Sequence, residues 1–158
     1  MPARVPTKNP EITLRNRALQ HLSRREYSRA ELQKKLLPHA AEAEEVDALL
    51  NDLMGSGWLS DERALEQIVR VRSARFGTQR VAYELRQKGL SDELINTALP
   101  QLKSGELAAA RSVWQKKFAS PPQDQKEKAK QIRFLQSRGF STSVILEVLR
   151  FSGNGEVE

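Results

Sequence analysis

The chain has 158 residues, a formal net charge of +6, a pI near 9.8, no cysteine and a mean hydropathy of -0.59. That length allows one cored domain or several small units sharing cores. The missing cysteines exclude disulfides, thiol catalysis and thiolate metal sites, and no apolar run approaches the 18 or so residues of a membrane span. The excess of Lys and Arg points to an acidic partner.

Charge is arranged in blocks. Residues 38–62 carry Glu42, Glu44, Glu45, Asp47, Asp52, Asp61 and Glu62 and neither Lys nor Arg, whereas residues 70–90 carry Arg70, Arg72, Arg75, Arg80, Arg86 and Lys88 against Glu84 alone. Such alternation suits a protein that meets both an anionic polymer and a mixed-charge protein surface.

In chain order, Met1 to Pro10 has three prolines and no apolar stretch, and is expected to be a disordered lead-in rather than a secretory signal. Helical period then dominates, and no segment alternates strictly enough to predict a strand. A first helix is expected from Glu11 to Arg24. Ser28 with Glu31 forms a capping-box pattern for a second, which Pro38 stops. A third presents Val46, Leu49, Leu50 and Leu53. Gly57 precedes a fourth, capped by Ser60 or Asp61 and running to Phe76. A fifth spans Gly77 to Lys88, and Ser91 caps a sixth that is expected to end near Pro100. Helices from Glu106 to Phe118, from Lys126 to Arg138 and from Ser141 to Phe151 complete the set, followed by a frayed tail over 152–158.

The pattern repeats internally. A shift of 50 residues places Leu85, Gly89, Ser91, Ile95 and Leu99 on Leu135, Gly139, Ser141, Ile145 and Leu149, with Lys88 on Arg138. A shift of 53 places Glu31, Leu32 and Lys35 on Glu84, Leu85 and Lys88. The expectation is an all-α chain of three tandem three-helix repeats, over 11–58, 59–103 and 104–151, stacked into an elongated, curved molecule.

The strongest candidate contact residues are Arg70, Arg72, Arg75 and Arg80, since guanidinium groups bind carboxylate or phosphate in bidentate fashion. On a continuous helix Arg72 and Arg75 lie about 60° apart, while Arg70 is about 160° from Arg72. The helix carrying Lys126, Lys128, Lys130, Arg133 and Arg138 is the second candidate, with Lys116 and Lys117 nearby, and Lys88 is also an expected contact. The competing reading of each is a solvated helix end favoured by the dipole. The acidic run at Glu42–Asp52 is read as helix N-terminal chemistry. Trp58 and Trp114, with Tyr27, Tyr83 and Phe76, are read as core. No serine elbow, phosphate loop or His-x-x-x-His spacing appears, so neither catalysis nor a cofactor or metal is expected.

Gly57-Trp58-Leu59-Ser60-Asp61-Glu62-Arg63 resembles the glycine-aromatic-leucine-acidic-acidic-x-arginine signature of the RecX regulatory proteins. Arg72 to Gly77 followed by Arg80 to Gly89 resembles the same family's second motif, and Tyr27 to Leu36 its opening. Gly57, Trp58, Leu59, Asp61, Arg63, Gly77 and Gly89 carry the likeness, which spans Leu14 to Phe151. Ala64 replaces a usual aromatic, Ser60 an acid, and Thr78 a common proline. The resemblance implies a bacterial cytoplasmic regulator, not an enzyme. It would bind as a monomer in the groove of the RecA filament on single-stranded DNA, limit filament extension, and inhibit RecA's ATPase and strand exchange. Direct non-specific DNA binding without membrane association is a further expectation, and a DNA-binding protein of helix-turn-helix type is the alternative.

Overall fold

A computed structural model describes residues 12–153. The expected lead-in over 1–10 and the tail positions 154–158 lie outside the described residues. Among those described there are eight α-helices and no strand: α1 (Leu14–Leu22), α2 (Arg29–Leu36), α3 (Ala43–Gly55), α4 (Asp61–Arg72), α5 (Thr78–Gln87), α6 (Asp92–Lys117), α7 (Gln125–Ser137) and α8 (Thr142–Gly153). A short 3₁₀ turn at Leu37–His39, with Pro38 inside it, follows α2.

The helix starts follow local chemistry. The Thr13 hydroxyl accepts from Asn16 N, and Ser91 and Asp124 do the same for Leu94 N and Glu127 N. Ser28 and Glu31 form the full capping box. At α4 the cap is Ser60, whose Oγ accepts from Arg63 N at 3.1 Å. Asp61 instead ties α4 to α2, with its Oδ1 accepting from Arg29 N at 2.8 Å. Glu44 and Glu45 sit in the first turn of α3, where acids favour the dipole.

Two compact units divide the chain, one up to Ala64 and one from Leu65 onward. In the first, Ala18, Tyr27, Leu32, Leu36, Val46, Leu50, Leu53 and Leu59 form one core from α1, α2 and α3. The second holds two cores. Leu65, Val69, Val81, Leu85, Ile95, Ala98 and Leu102 join α4, α5 and the first half of α6. Ala110, Val113, Trp114, Leu135, Phe140, Ile145 and Val148 join the second half of α6 to α7 and α8. Trp114 Nε1 donates to Gln131 Oε1 at 2.8 Å inside the last core, so the buried indole has its polar partner.

Four local expectations are corrected. First, α6 does not end at Pro100 but runs 26 residues through it. A proline inside a helix removes the bond to the carbonyl four residues back, here Asn96, at a cost of about 3 kcal/mol. Both Pro100 and Asn96 are exposed, so water can take the carbonyl, and the two halves of α6 are each fixed by a separate core. Second, α4 stops at Arg72, four residues early. Arg75 N and Phe76 N both turn back to Arg72 O at 3.0 Å, and Gly77 N bonds Arg138 O at 2.8 Å, diverting the chain. The angular argument pairing Arg72 with Arg75 therefore does not apply. Third, Trp58 and Tyr83 are surface residues, at 55% and 58% exposure, not core. Fourth, Ser152 and Gly153 complete the last turn of α8.

Candidate partner-binding surface

In the second unit, α5 begins against the turn between α7 and α8. The approach is so close that only glycine fits on both sides. A Cβ on Gly77 would collide with the Gly139 carbonyl, and one on Gly139, at φ 86°, would collide with Arg80. Behind this crossing, Glu106 of α6 is buried at 7% exposure. Its Oε1 accepts from the Thr78 hydroxyl at 2.9 Å and its Oε2 from Ser141 N at 2.8 Å. One carboxylate thus fastens the start of α5 to the start of α8. Thr78 supplies one of its two donors.

On the outer side of this joint stands a cluster of arginines. Arg72 Nε and Nη2 each donate to Glu84, both at 2.9 Å, and Arg80 Nε donates to Glu84 Oε2 at 3.1 Å. Arg80 Nη1 also reaches Ser137 O, and Arg138 Nη1 reaches Arg75 O, both at 3.2 Å. The guanidinium carbons of Arg72, Arg80 and Arg138 lie 4.3, 4.6 and 5.1 Å from the centroid of Phe76. Arg138 and Lys117 also lie over Phe134, at 5.2 and 5.3 Å. The hydrogen bond from Arg72 is the largest influence on Glu84. With the nearby charges of Arg72 and Arg80 it outweighs partial burial and holds the carboxyl below its usual range, and the same bond raises Arg72.

The balance of charge is the main feature. Three arginines converge on one ring, and among the described residues Glu84 pairs with two of them, Arg72 and Arg80, leaving a partly exposed surface with excess positive charge. Repeat comparison explains the excess. In the first unit Arg25 stacks on Tyr27 at 3.7 Å and pairs with Glu31 at 3.1 Å. Glu84 is the matching acid of the next copy, and the position 50 residues on is Phe134, so in the last copy Arg138 and Lys117 meet a ring where the earlier copies have an acid.

The residues expected from sequence divide accordingly. Arg72 and Arg80 are brought together, and Arg75 lends the cluster its carbonyl while its side chain is exposed. Arg70 points elsewhere and lines a cleft of about 630 Å³ with Leu65, Val69 and Ala98. Lys126, Lys130 and Arg133 are exposed at helical spacing on one face of α7, and Lys116 and Lys117 are exposed at the end of α6. Lys88 is half-buried after α5. Glu84, Phe76, Phe134 and Glu106 were not among the expected site residues, and Arg138 was expected only as part of the basic helix α7. The correspondences Glu31 with Glu84 and Lys88 with Arg138 were the available signals.

Of the signature residues in the first unit, Leu59, Asp61 and Arg63 are architectural. Leu59 is buried, Asp61 bonds the start of α2, and Arg63 donates from Nη2 to Gly57 O at 2.7 Å and from Nε to Glu26 at 3.0 Å. Among the described residues no group of His, Asp or Glu is arranged for a metal, and no helix is long and apolar enough to cross a membrane.

Tandem three-helix units define an all-α helical-repeat protein. Models of the RecX first, second and third three-helix domains match residues 15–53, 60–99 and 105–149. A Regulatory protein RecX from Ralstonia pickettii is 46% identical over 145 residues, covering 92% of this chain and 91% of the relative. Its counterpart from Ralstonia nicotianae is 45% identical over 139 residues, covering 88% and 87%. The crystal structure of RecX from Lactobacillus salivarius has the same fold, with a TM-score of 0.73 at 19% identity, covering 89% of this chain and 94% of that one. The chain belongs to the RecX family of regulatory proteins.

Proposed function

We propose that this chain is a negative regulator of the RecA recombinase. It binds as a monomer in the groove of the RecA filament on single-stranded DNA, limits filament extension, and inhibits ATP hydrolysis and strand exchange. It acts by binding rather than catalysis, in the bacterial cytoplasm. Family membership supports the class of function. The observation that carries the contact surface is the excess of cations at the joint of the second unit, where Arg72, Arg80 and Arg138 converge on Phe76 and Glu84 pairs with the first two. Arg75, Lys116, Lys117, Lys126, Lys130 and Arg133 extend this surface, while Arg70 and Lys88 border it. Acidic side chains of the filament and DNA phosphates are the complementary groups. Phosphate contacts of this kind are sequence-independent and weaken with salt, so the same surface gives non-specific affinity for free DNA.

Co-sedimentation with RecA assembled on single-stranded DNA tests this reading. Binding should be strong at low salt and fall steeply as salt rises. Absence of co-sedimentation at low salt would refute it.

A further inference from the structure

Trp58 departs from the packing logic of its own unit. The next residue, Leu59, is 2% exposed and part of the core, whereas Trp58 is 55% exposed. The chain's other tryptophan, Trp114, is buried and hydrogen-bonded. Trp58 is not loose. Its N–H and that of Leu59 both donate to Leu53 O, at 2.9 and 3.1 Å, and Gly57 N donates to Met54 O at 3.2 Å. Gly57 takes φ 86°, which closes the turn after α3 and directs the two following side chains apart. Arg63 then clamps the turn from outside through Gly57 O, and is itself held by Glu26. Met54, on the preceding turn, is 40% exposed, with Arg29 Nη1 on its sulfur at 3.2 Å.

We propose that Trp58, with Met54, is the anchor by which the first unit docks into an apolar cleft of the recombinase protein; this rests on the function proposed above. A large ring held on a fixed turn loses little freedom on binding, and tryptophan is the most enriched residue at interface hot spots. Charge decides between protein and nucleic acid. Around Trp58 the Arg63 guanidinium pairs with Glu26, and the Asp61 carboxylate, held on the Arg29 backbone N–H, balances the second cation, Arg29, in net charge, so a phosphate chain finds no excess positive charge there. The joint of the second unit has that excess. The two surfaces therefore divide the work: the second unit answers acidic groups, and the first presents an apolar plug with a balanced rim, suited to a protein cleft.

The test compares the full-length chain with Trp58→Ala and Trp58→Phe, measuring affinity for the RecA–single-stranded DNA filament and for the free oligonucleotide. Tyr83→Ala, which removes an equally exposed aromatic of the second unit, is the control. Trp58→Ala should melt like the parent, because the ring is outside the core, yet bind the filament about thirty-fold more weakly, the loss typical of a hot-spot residue. Trp58→Phe should retain most of the affinity, Tyr83→Ala all of it, and binding of the free oligonucleotide should be unchanged by either Trp58 substitution. Parental filament affinity in Trp58→Ala overturns the anchor and leaves the proposed function standing. An equal loss on free oligonucleotide overturns it in favour of base stacking. Failure of the parent chain to bind the filament at all defeats the functional reading and the anchor together.

Discussion

Replacing Glu84 by Gln separates the structural work of the arginine joint from its binding work. Glu84 accepts three charge-assisted hydrogen bonds, two from Arg72 at 2.9 Å and one from Arg80 at 3.1 Å. Each such bond is worth roughly 1.5–3 kcal/mol in favourable settings. The guanidinium side chains are 33% and 40% exposed, so solvent screens much of this. Glutamine keeps the shape and one acceptor but turns an N–H₂ toward the guanidiniums. The net loss is set at about 1–2 kcal/mol, which for a chain of this size lowers Tm by roughly 2–8 °C. The pH dependence has a definite sign. The folded carboxyl lies below its ordinary 4.5, so its contribution is fully present above that pH and is lost as pH falls through the lowered value. Thermal melts followed by circular dichroism should show the parent more stable at neutral pH and the gap closing progressively below 4.5. A gap that stays constant into acid, or no gap at neutral pH, would refute the assignment. Because the substitution removes the acid paired with Arg72 and Arg80, binding to an anionic partner should not weaken.

Gly139→Ala combines a left-handed backbone with a clash against Arg80 and should cost about 3 kcal/mol or more, read as a Tm fall of roughly 6–12 °C. Thr78→Val should destabilise by about 1–3 kcal/mol, since it leaves one oxygen of buried Glu106 without its donor; urea unfolding measures it. Combined Lys126→Glu, Lys130→Glu and Arg133→Glu should leave the melt nearly unchanged, as all three side chains are exposed, and should weaken filament binding while flattening its salt dependence. Unaltered salt dependence in that variant would remove α7 from the contact surface.

The parts of this fold legible in the sequence are those decided within a few residues. Ser28 with Glu31, Ser91 before Leu94, and the apolar spacing of Val46, Leu50 and Leu53 each carry their own signal, and each stands as expected. What could not be read depends on distant groups. The early end of α4 depends on Gly77 meeting Arg138 O, more than 60 residues away. Pro100 looks like a stop until α6 is seen to be secured by two cores and exposed where the bond is lost. Arg72 and Arg80 were legible as members of one basic cluster, in which Arg72 was paired with Arg75 instead; their coupling through Glu84 and Phe76 was not legible, because no helical period relates Arg72 to Glu84. Trp58 follows apolar spacing as well as Leu59 does, and only the closed turn at Gly57 separates the outward ring from the buried side chain.

RecA's ATPase on single-stranded DNA, titrated with the chain, tests the central claim most directly. Hydrolysis should be suppressed by substoichiometric protein, because a regulator that halts filament extension acts on many protomers at once. Undiminished hydrolysis up to equimolar protein would contradict the account.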